Sequence, residues 1–172
     1  YRQSSKHRED LQEIDPENKL LARAPRFRFP AELIRDNALA ASGLLNEQVG
    51  GPSVKPYQPA GYYDALQFPD RKYVASADDG QWRRGVYMHW QRTFLHPMLA
   101  NFDAPSRDEC AALRTVSNTP QQALTLLNDP TFVEAARLFA ARLLGEARAT
   151  TDVQHIRRAY QVALAREPKW AK

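Results

Sequence analysis

The sequence predicts a mainly α-helical fold: a helical bundle at the C-terminal end, a long ordered loop rich in Pro, Gly and Tyr, and at most a minor β element. Three observations carry this reading. Apolar residues recur at helical spacing in at least four segments, most clearly across residues 119–167. Those segments open on Thr-Pro, Asp-Pro or Thr-Thr-Asp and close near Gly or Pro, the chemistry of helix ends. Helix breakers gather instead between residues 46 and 80, where five aromatic rings accompany them and argue against simple disorder. The 172 residues suit one domain or most of one. Opening on Tyr1 and closing in mid-pattern on Lys172, the chain reads as a fragment of a larger multidomain protein.

Residues 1–14 are polar and form a surface connection. Asp15-Pro16-Glu17 has the form of a capped start for a short helix carrying Leu20, Leu21 and Ala24, which Pro25 stops. Arg26-Phe27-Arg28-Phe29 alternates charge and aromatic and predicts an extended passage. From Pro30 a helix follows, with Leu33, Ile34, Ala38, Ala41 and Leu45 along one side and Gly43 at its end. The irregular stretch 46–80 is expected to lie on the helical core. In residues 81–93, Trp82, Val86, Met88 and Trp90 recur with period two, which favours a strand, although a short amphipathic helix would suit the same residues.

Residues 101–144 organise the rest. Asn101 to Ser106 predicts a tight turn in which the Asp103 carboxylate accepts backbone amides, and Asp108-Glu109 resembles a helix start. Thr119-Pro120 with Gln122 has the form of a capping box, and Asn128-Asp129-Pro130 breaks that helix and starts another. The second helix carries Phe132, Ala136, Phe139, Ala140 and Leu143 and ends near Gly145. Thr151-Asp152 then caps a third, with Val153, Ile156, Tyr160, Ala163 and Leu164 on one side. Leu124, Leu127, Phe132 and Phe139 are expected in the core.

A net charge of +4 is mild and its basic residues are scattered, which argues against a nucleic-acid groove. No apolar run approaches the ~18 residues of a membrane span. The one cysteine, Cys110, excludes an internal disulfide and a cysteine-based zinc knuckle, and it is expected to be an inert buried thiol. Neither His89 with His96 nor the distant His7 and His155 match a compact ligand motif, so no metal and no haem are expected in this fragment. Gly50-Gly51 lacks the partners of a phosphate loop. Asp103, Asp108 and Glu109 are more simply a solvated face than an acid–base cluster.

The stretches LIRDNALAASGLL, GGPSVKPYQPAG, RRGVYMHWQRT and FDAPSRDECAALRTVSNTPQQALTLLNDPTFVEAARLFAARLL together cover most of residues 15–165. In that order they resemble the planctomycete-specific C-terminal domain, Domain of Unknown Function fifteen-fifty-three, of large cytochrome c-associated proteins. Where that family usually shows TPLQAL, this chain has Gln121 in the Leu position. The resemblance implies an extracytoplasmic protein, periplasmic or secreted, with cytochrome c-type and planctomycete-specific domains upstream and haem in those domains. No catalytic residues come with it.

Two readings of function follow. The first is a helical accessory or interaction module without a cofactor of its own. The second makes the chain part of an oxidoreductase or carbohydrate-active enzyme, with Arg92, Asp103, Arg114 and Asn118 in a polar cleft. Convergence of those four residues would favour the enzyme, and separate capping roles would favour the module.

Overall fold

The computed structural model describes residues 3–6, 9–65, 72–91, 94–146 and 151–169. They contain six α-helices: α1 Asp10–Ile14, α2 Ala31–Ser42, α3 Pro97–Asn101, α4 Pro120–Asn128, α5 Pro130–Leu144 and α6 Asp152–Leu164. The fold is mainly α. Among the described residues β pairing is limited to two isolated parallel bridges, Asn46 with Arg83 and Val54 with Met88.

The Asp15-Pro16 signal makes a turn where the sequence predicts a helix. The buried Asp15 carboxylate accepts the N–H groups of Lys19 and Leu20 at 2.7 and 2.8 Å, while Asn18 and Leu21 take positive φ. That side-chain bonding competes with the helix ladder, and two left-handed residues cannot sit within one. The Phe27 and Phe29 rings lie 5.8 Å apart on an extended segment without a strand partner.

α2 ends as predicted, with Gly43 left-handed at φ 84°. Its buried face is rotated from the expected one. Ala31, Arg35, Leu39 and Ser42 point inward, Ile34 and Ala38 are partly covered, and Leu33 is exposed. The cause is Arg35, wholly buried, whose guanidinium donates to the carbonyls of Arg83, at 2.6 Å, and Gln81. Two carbonyls fix the position of that side chain, and the helix face follows it.

The core joins Ala31 of α2, Met88, Leu95, Met98, Leu99 and Phe102 with Phe132 of α5, and Phe102 meets Phe132 edge-on at 6.1 Å. α2 packs most extensively on α5, and α5 also touches α4 and α6. Arg142 of α5 donates to the Ala41 carbonyl at the end of α2, at 2.9 Å. Of the four core residues the spacing predicts around α4 and α5, Phe132 is buried and Phe139 is half-buried, but Leu124 and Leu127 are exposed. α6 buries none of its residues fully.

Residues 81–90 form no strand. Two short 3-10 turns, Asp79–Trp82 and Gly85–Tyr87, occupy the stretch, and they place Met88 inside while Val86 is exposed, so the even positions share no face. Gly85 fixes this geometry: a Cβ there would fall 2.8 Å from Glu32 Cα and 2.9 Å from Glu32 O. Only glycine lets the turn approach α2 so closely.

The stretch 46–80, as far as it is described, is an ordered loop held by hydrogen bonds within itself and to the core. Ser76 N–H donates to the Lys55 carbonyl at 2.8 Å and Tyr62 Oη to the Leu95 carbonyl at 2.9 Å. Tyr62, Tyr63, Tyr73 and Phe94 form a ring cluster with centroids 4.8 to 6.4 Å apart. Packing of this loop on the core is the reading that its tyrosines support.

Candidate functional site

Around α4 the sequence places polar residues where a helix start needs them, and the structure ties them into one network. Gln122, only 3% exposed, is its hub. Its Oε1 accepts from the Thr119 N–H at 3.3 Å, as the capping box predicts, and from Arg28 Nη2 at 2.5 Å. Its Nε2 donates to Ser117 Oγ at 3.0 Å and to Asp103 at 3.4 Å. Asp103, left-handed at φ 61°, accepts from Ser117 N–H at 2.8 Å and Ser117 Oγ at 2.7 Å. The turn expected at Asp103 is therefore a clamp on a residue 14 positions onward, rather than a local one. Those two bonds from Ser117 hold its carboxyl below the usual carboxylate range. The network orients α4. With Gln122 fixed inward, Leu127 on the same helix is left 72% exposed.

Arg114 takes a different partner. Its guanidinium grips the Glu32 carboxylate with two hydrogen bonds of 2.8 and 3.2 Å. Burial opposes ionisation of Glu32, and the hydrogen bonds and charge of Arg114 outweigh it, so the carboxyl titrates below its ordinary value. Asn118 is exposed beside Ser117, and Arg92 lies outside the described residues. Asp103 and Arg114 thus anchor two different parts of the chain, α4 and the first turn of α2. Neither is left poised as an acid, a base or a nucleophile.

The remaining chemistry-bearing residues are also placed. Cys110 is exposed, against the expectation of a buried thiol, because residues 106–118 are irregular, with bends at 107–109 and 112–113, and no helix follows Asp108. The Asp108 N–H donates instead to Ser106 Oγ at 3.3 Å, and Arg107 is left-handed. His96 is buried. Its Nδ1 accepts from the Met98 N–H at 3.3 Å, capping α3, which makes Nε2 the protonated nitrogen and the donor to the Tyr57 carbonyl at 2.8 Å. Burial lowers its pKa. Among the described residues no three His, Cys, Asp or Glu side chains are grouped to hold a metal ion.

Two buried arginines escaped the sequence reading. Desolvation pulls Arg35 down to about 10, which leaves it charged at neutral pH, and its nearest carboxylate is Asp36 at 3.9 Å. Arg83 donates to the carbonyls of Pro52 at 2.9 Å, Gln48 at 3.3 Å and Gly50, and stacks 4.0 Å over the Tyr87 ring. The turn at Gly50-Gly51, both with positive φ, brings the carbonyls of Gln48, Gly50 and Pro52 toward a guanidinium. This is the reverse of a phosphate loop, in which amides face an anion. The one available signal was an arginine at a helical spacing that also held Ala31 and Leu39.

Among the described residues, two of the open concave surfaces border the long helices. A groove of about 460 Å³ along the outer side of α2 is lined by Phe29, Leu33, Ala40, Leu45 and Val86, with Glu32, Asp36 and Arg84 at its rim. A cleft of about 470 Å³ lies between Tyr57 and α4, floored by α3. Gln121, Leu124, Thr125 and Asn128 face it from one side of α4, so the polar residue at position 121 borders open space.

No curated protein and no solved structure matches the chain. The model of the family described as PSD1, Protein of unknown function (DUF1553), matches residues 1–172, and the chain belongs to that family.

Proposed function

We propose that the chain is a helical accessory and interaction module of a larger extracytoplasmic, cytochrome c-associated protein, and that its uncovered apolar surface docks on the upstream domains. The observation that carries this is the amount of apolar surface left open. Leu113, Val116, Leu127 and Leu144 are each more than two-thirds exposed, and the apolar side of α6 is half open. Large apolar side chains exposed in this number are what an interaction surface presents. The polar side chains meanwhile serve the fold: Asp103, Gln122, Glu32, Arg114, Arg35, Arg83 and His96 bond to other parts of the same chain. In this reading haem belongs to the upstream cytochrome c-type domains, this chain holds no cofactor, and the whole lies outside the cytoplasm.

Separately produced upstream domains and this chain should form a complex by size-exclusion chromatography and titration calorimetry. The double variant Leu127→Asp, Leu144→Asp should weaken it while keeping the helical circular dichroism. Absence of any complex would sink the proposal. Turnover of a carbohydrate or reduction of an electron acceptor by the isolated chain would move it to the enzyme class.

A further inference from the structure

The cleft beside α4 has a composition and spacing of its own. Its walls combine the ring of Tyr57, which is 42% exposed, with Pro59, Pro97 and Leu124. The Tyr57 backbone is pinned on both sides: its N–H donates to Gln81 Oε1 at 2.9 Å and its carbonyl accepts from His96 at 2.8 Å. The ring is therefore presented from a fixed base. On the opposite wall, Asn101 Nδ2 donates to Thr125 Oγ1 at 2.9 Å and Thr125 Oγ1 to the Gln121 carbonyl at 2.9 Å, which ties α3 to α4. Both walls are tied to neighbouring segments by these bonds, an arrangement that lowers the ordering cost of binding.

Gln121 and Asn128 stand seven residues apart on the cleft side of α4, a rise of about 10.5 Å. Asn128 spends one N–H on the Leu124 carbonyl, at 2.8 Å, and its second remains for another acceptor. A polyproline II segment repeats its orientation every three residues, about 9.3 Å, and it has carbonyls without internal hydrogen bonds. Two amide donors at nearly that interval, facing a tyrosine and prolines, fit carbonyls on successive turns while prolyl rings pack on the aromatic wall. Among the described residues that line the cleft, the only charged side chain is the Asp129 carboxylate. An anionic ligand meets no cation there, and a neutral or basic segment is favoured.

We infer that this cleft binds a proline-rich, neutral-to-basic peptide segment in polyproline II conformation, with Tyr57 packing on its prolyl rings and Gln121 and Asn128 donating to its carbonyls. The inference rests on the reading of the chain as an interaction module, but it concerns a surface other than the exposed leucines proposed for the upstream domains.

The test is fluorescence anisotropy of the 172-residue chain with a labelled decapeptide of nine prolines and one arginine. A control peptide has glycine in place of every proline. The proline peptide should bind at least about tenfold more tightly than the glycine peptide, and Tyr57→Ala and Gln121→Ala should each weaken it by about tenfold. Leu127→Asp, which impairs docking in the proposal above, should leave peptide affinity unchanged, so failure of either reading is seen apart from the other. No saturation at millimolar chain, equal affinity for both peptides, or indifference to both cleft variants would overturn the inference. So would preferential competition by a neutral oligosaccharide such as cellohexaose, which would assign the cleft to sugar.

Discussion

Gly85→Ala should be among the most damaging single-methyl additions in this chain. The new Cβ would sit 2.8 Å from Glu32 Cα and 2.9 Å from Glu32 Cβ and O, and the first and last of these are backbone atoms of α2 that cannot rotate away. Relief requires the 3-10 turn and α2 to separate. That motion also stretches the 2.6 Å hydrogen bond from the Gly85 N–H to the Asp36 carboxylate. Overpacking of this kind costs about 1–3 kcal/mol, and weakening a bond to a charged acceptor adds part of a further ~1.5–3 kcal/mol. A total near 2–4 kcal/mol is expected, a large share of the ~5–15 kcal/mol that holds an ordinary domain together. Gly145 supplies the contrast. It closes α5 at φ −79°, and a Cβ there meets nothing nearer than 3.5 Å, so Gly145→Ala should be neutral or stabilising by up to about 1 kcal/mol. Urea melts of both variants, fitted with a common slope, decide the matter. A Gly85→Ala loss below about 0.5 kcal/mol, or a Gly145→Ala loss of similar size, would refute the close approach of the 85–87 turn to α2.

Other substitutions test the core and the caps. Phe132→Ala should cost about 3–5 kcal/mol because the ring is buried against Phe102, whereas Leu127→Ala should cost less than about 0.5 kcal/mol in the isolated chain, both read from denaturant midpoints. Thr119→Ala should lose about 1 kcal/mol through the capping box of α4 in the same assay. Stability should also fall in acid in two steps. The His96 pKa is lowered in the folded chain, so the unfolded state takes up its proton first and stability declines as pH drops below the ordinary value near 6.5. The depressed Asp103 carboxyl adds stability above its ordinary value near 3.8 that is lost as pH falls below it. Urea midpoints from pH 8 down to about pH 2 should trace both steps, and His96→Gln should flatten the upper one; an unchanged upper step in that variant would remove His96 as its source.

Caps and breaks were legible because their chemistry is local. Thr119 with Gln122, Asp129 before Pro130, Gly43 after α2 and Thr151 before α6 each act within four residues of themselves, and each does in the structure what its spacing implies. The Asp15-Pro16 signal was misread within that same range, since an aspartate that accepts amides four and five residues on makes a turn from the residues that suit a cap. The period-two spacing in residues 81–90 fails as a strand signal for another reason: period two says which residues differ in environment, but Gly85, pressed against Glu32, makes turns of that stretch. Of the candidate polar cleft, Asp103 beside Ser117 and Arg114 on Glu32 are long-range pairings, 14 and 82 residues apart, and no local pattern encodes them.

The inward faces of α2 and α4 show why apolar periodicity gave the helices but not their orientation. A helix whose leucines point inward normally gains ~1.5–3 kcal/mol for each one buried. α2 instead buries Arg35 and leaves Leu33 half exposed, and α4 buries Gln122 and leaves Leu124 and Leu127 open. Each inward polar side chain reaches several groups on distant segments: Arg35 the carbonyls of Gln81 and Arg83, Gln122 the groups of Thr119, Arg28, Ser117 and Asp103. Turning either helix to bury its leucines would strip those bonds and strand the partners, at about 1–3 kcal/mol for each buried group left unpaired. The polar arrangement wins within this chain, and it leaves the leucines in water. A partner that covers them restores the apolar gain without disturbing a single internal bond, so the faces that defeated the periodicity argument are the ones an interacting surface would use.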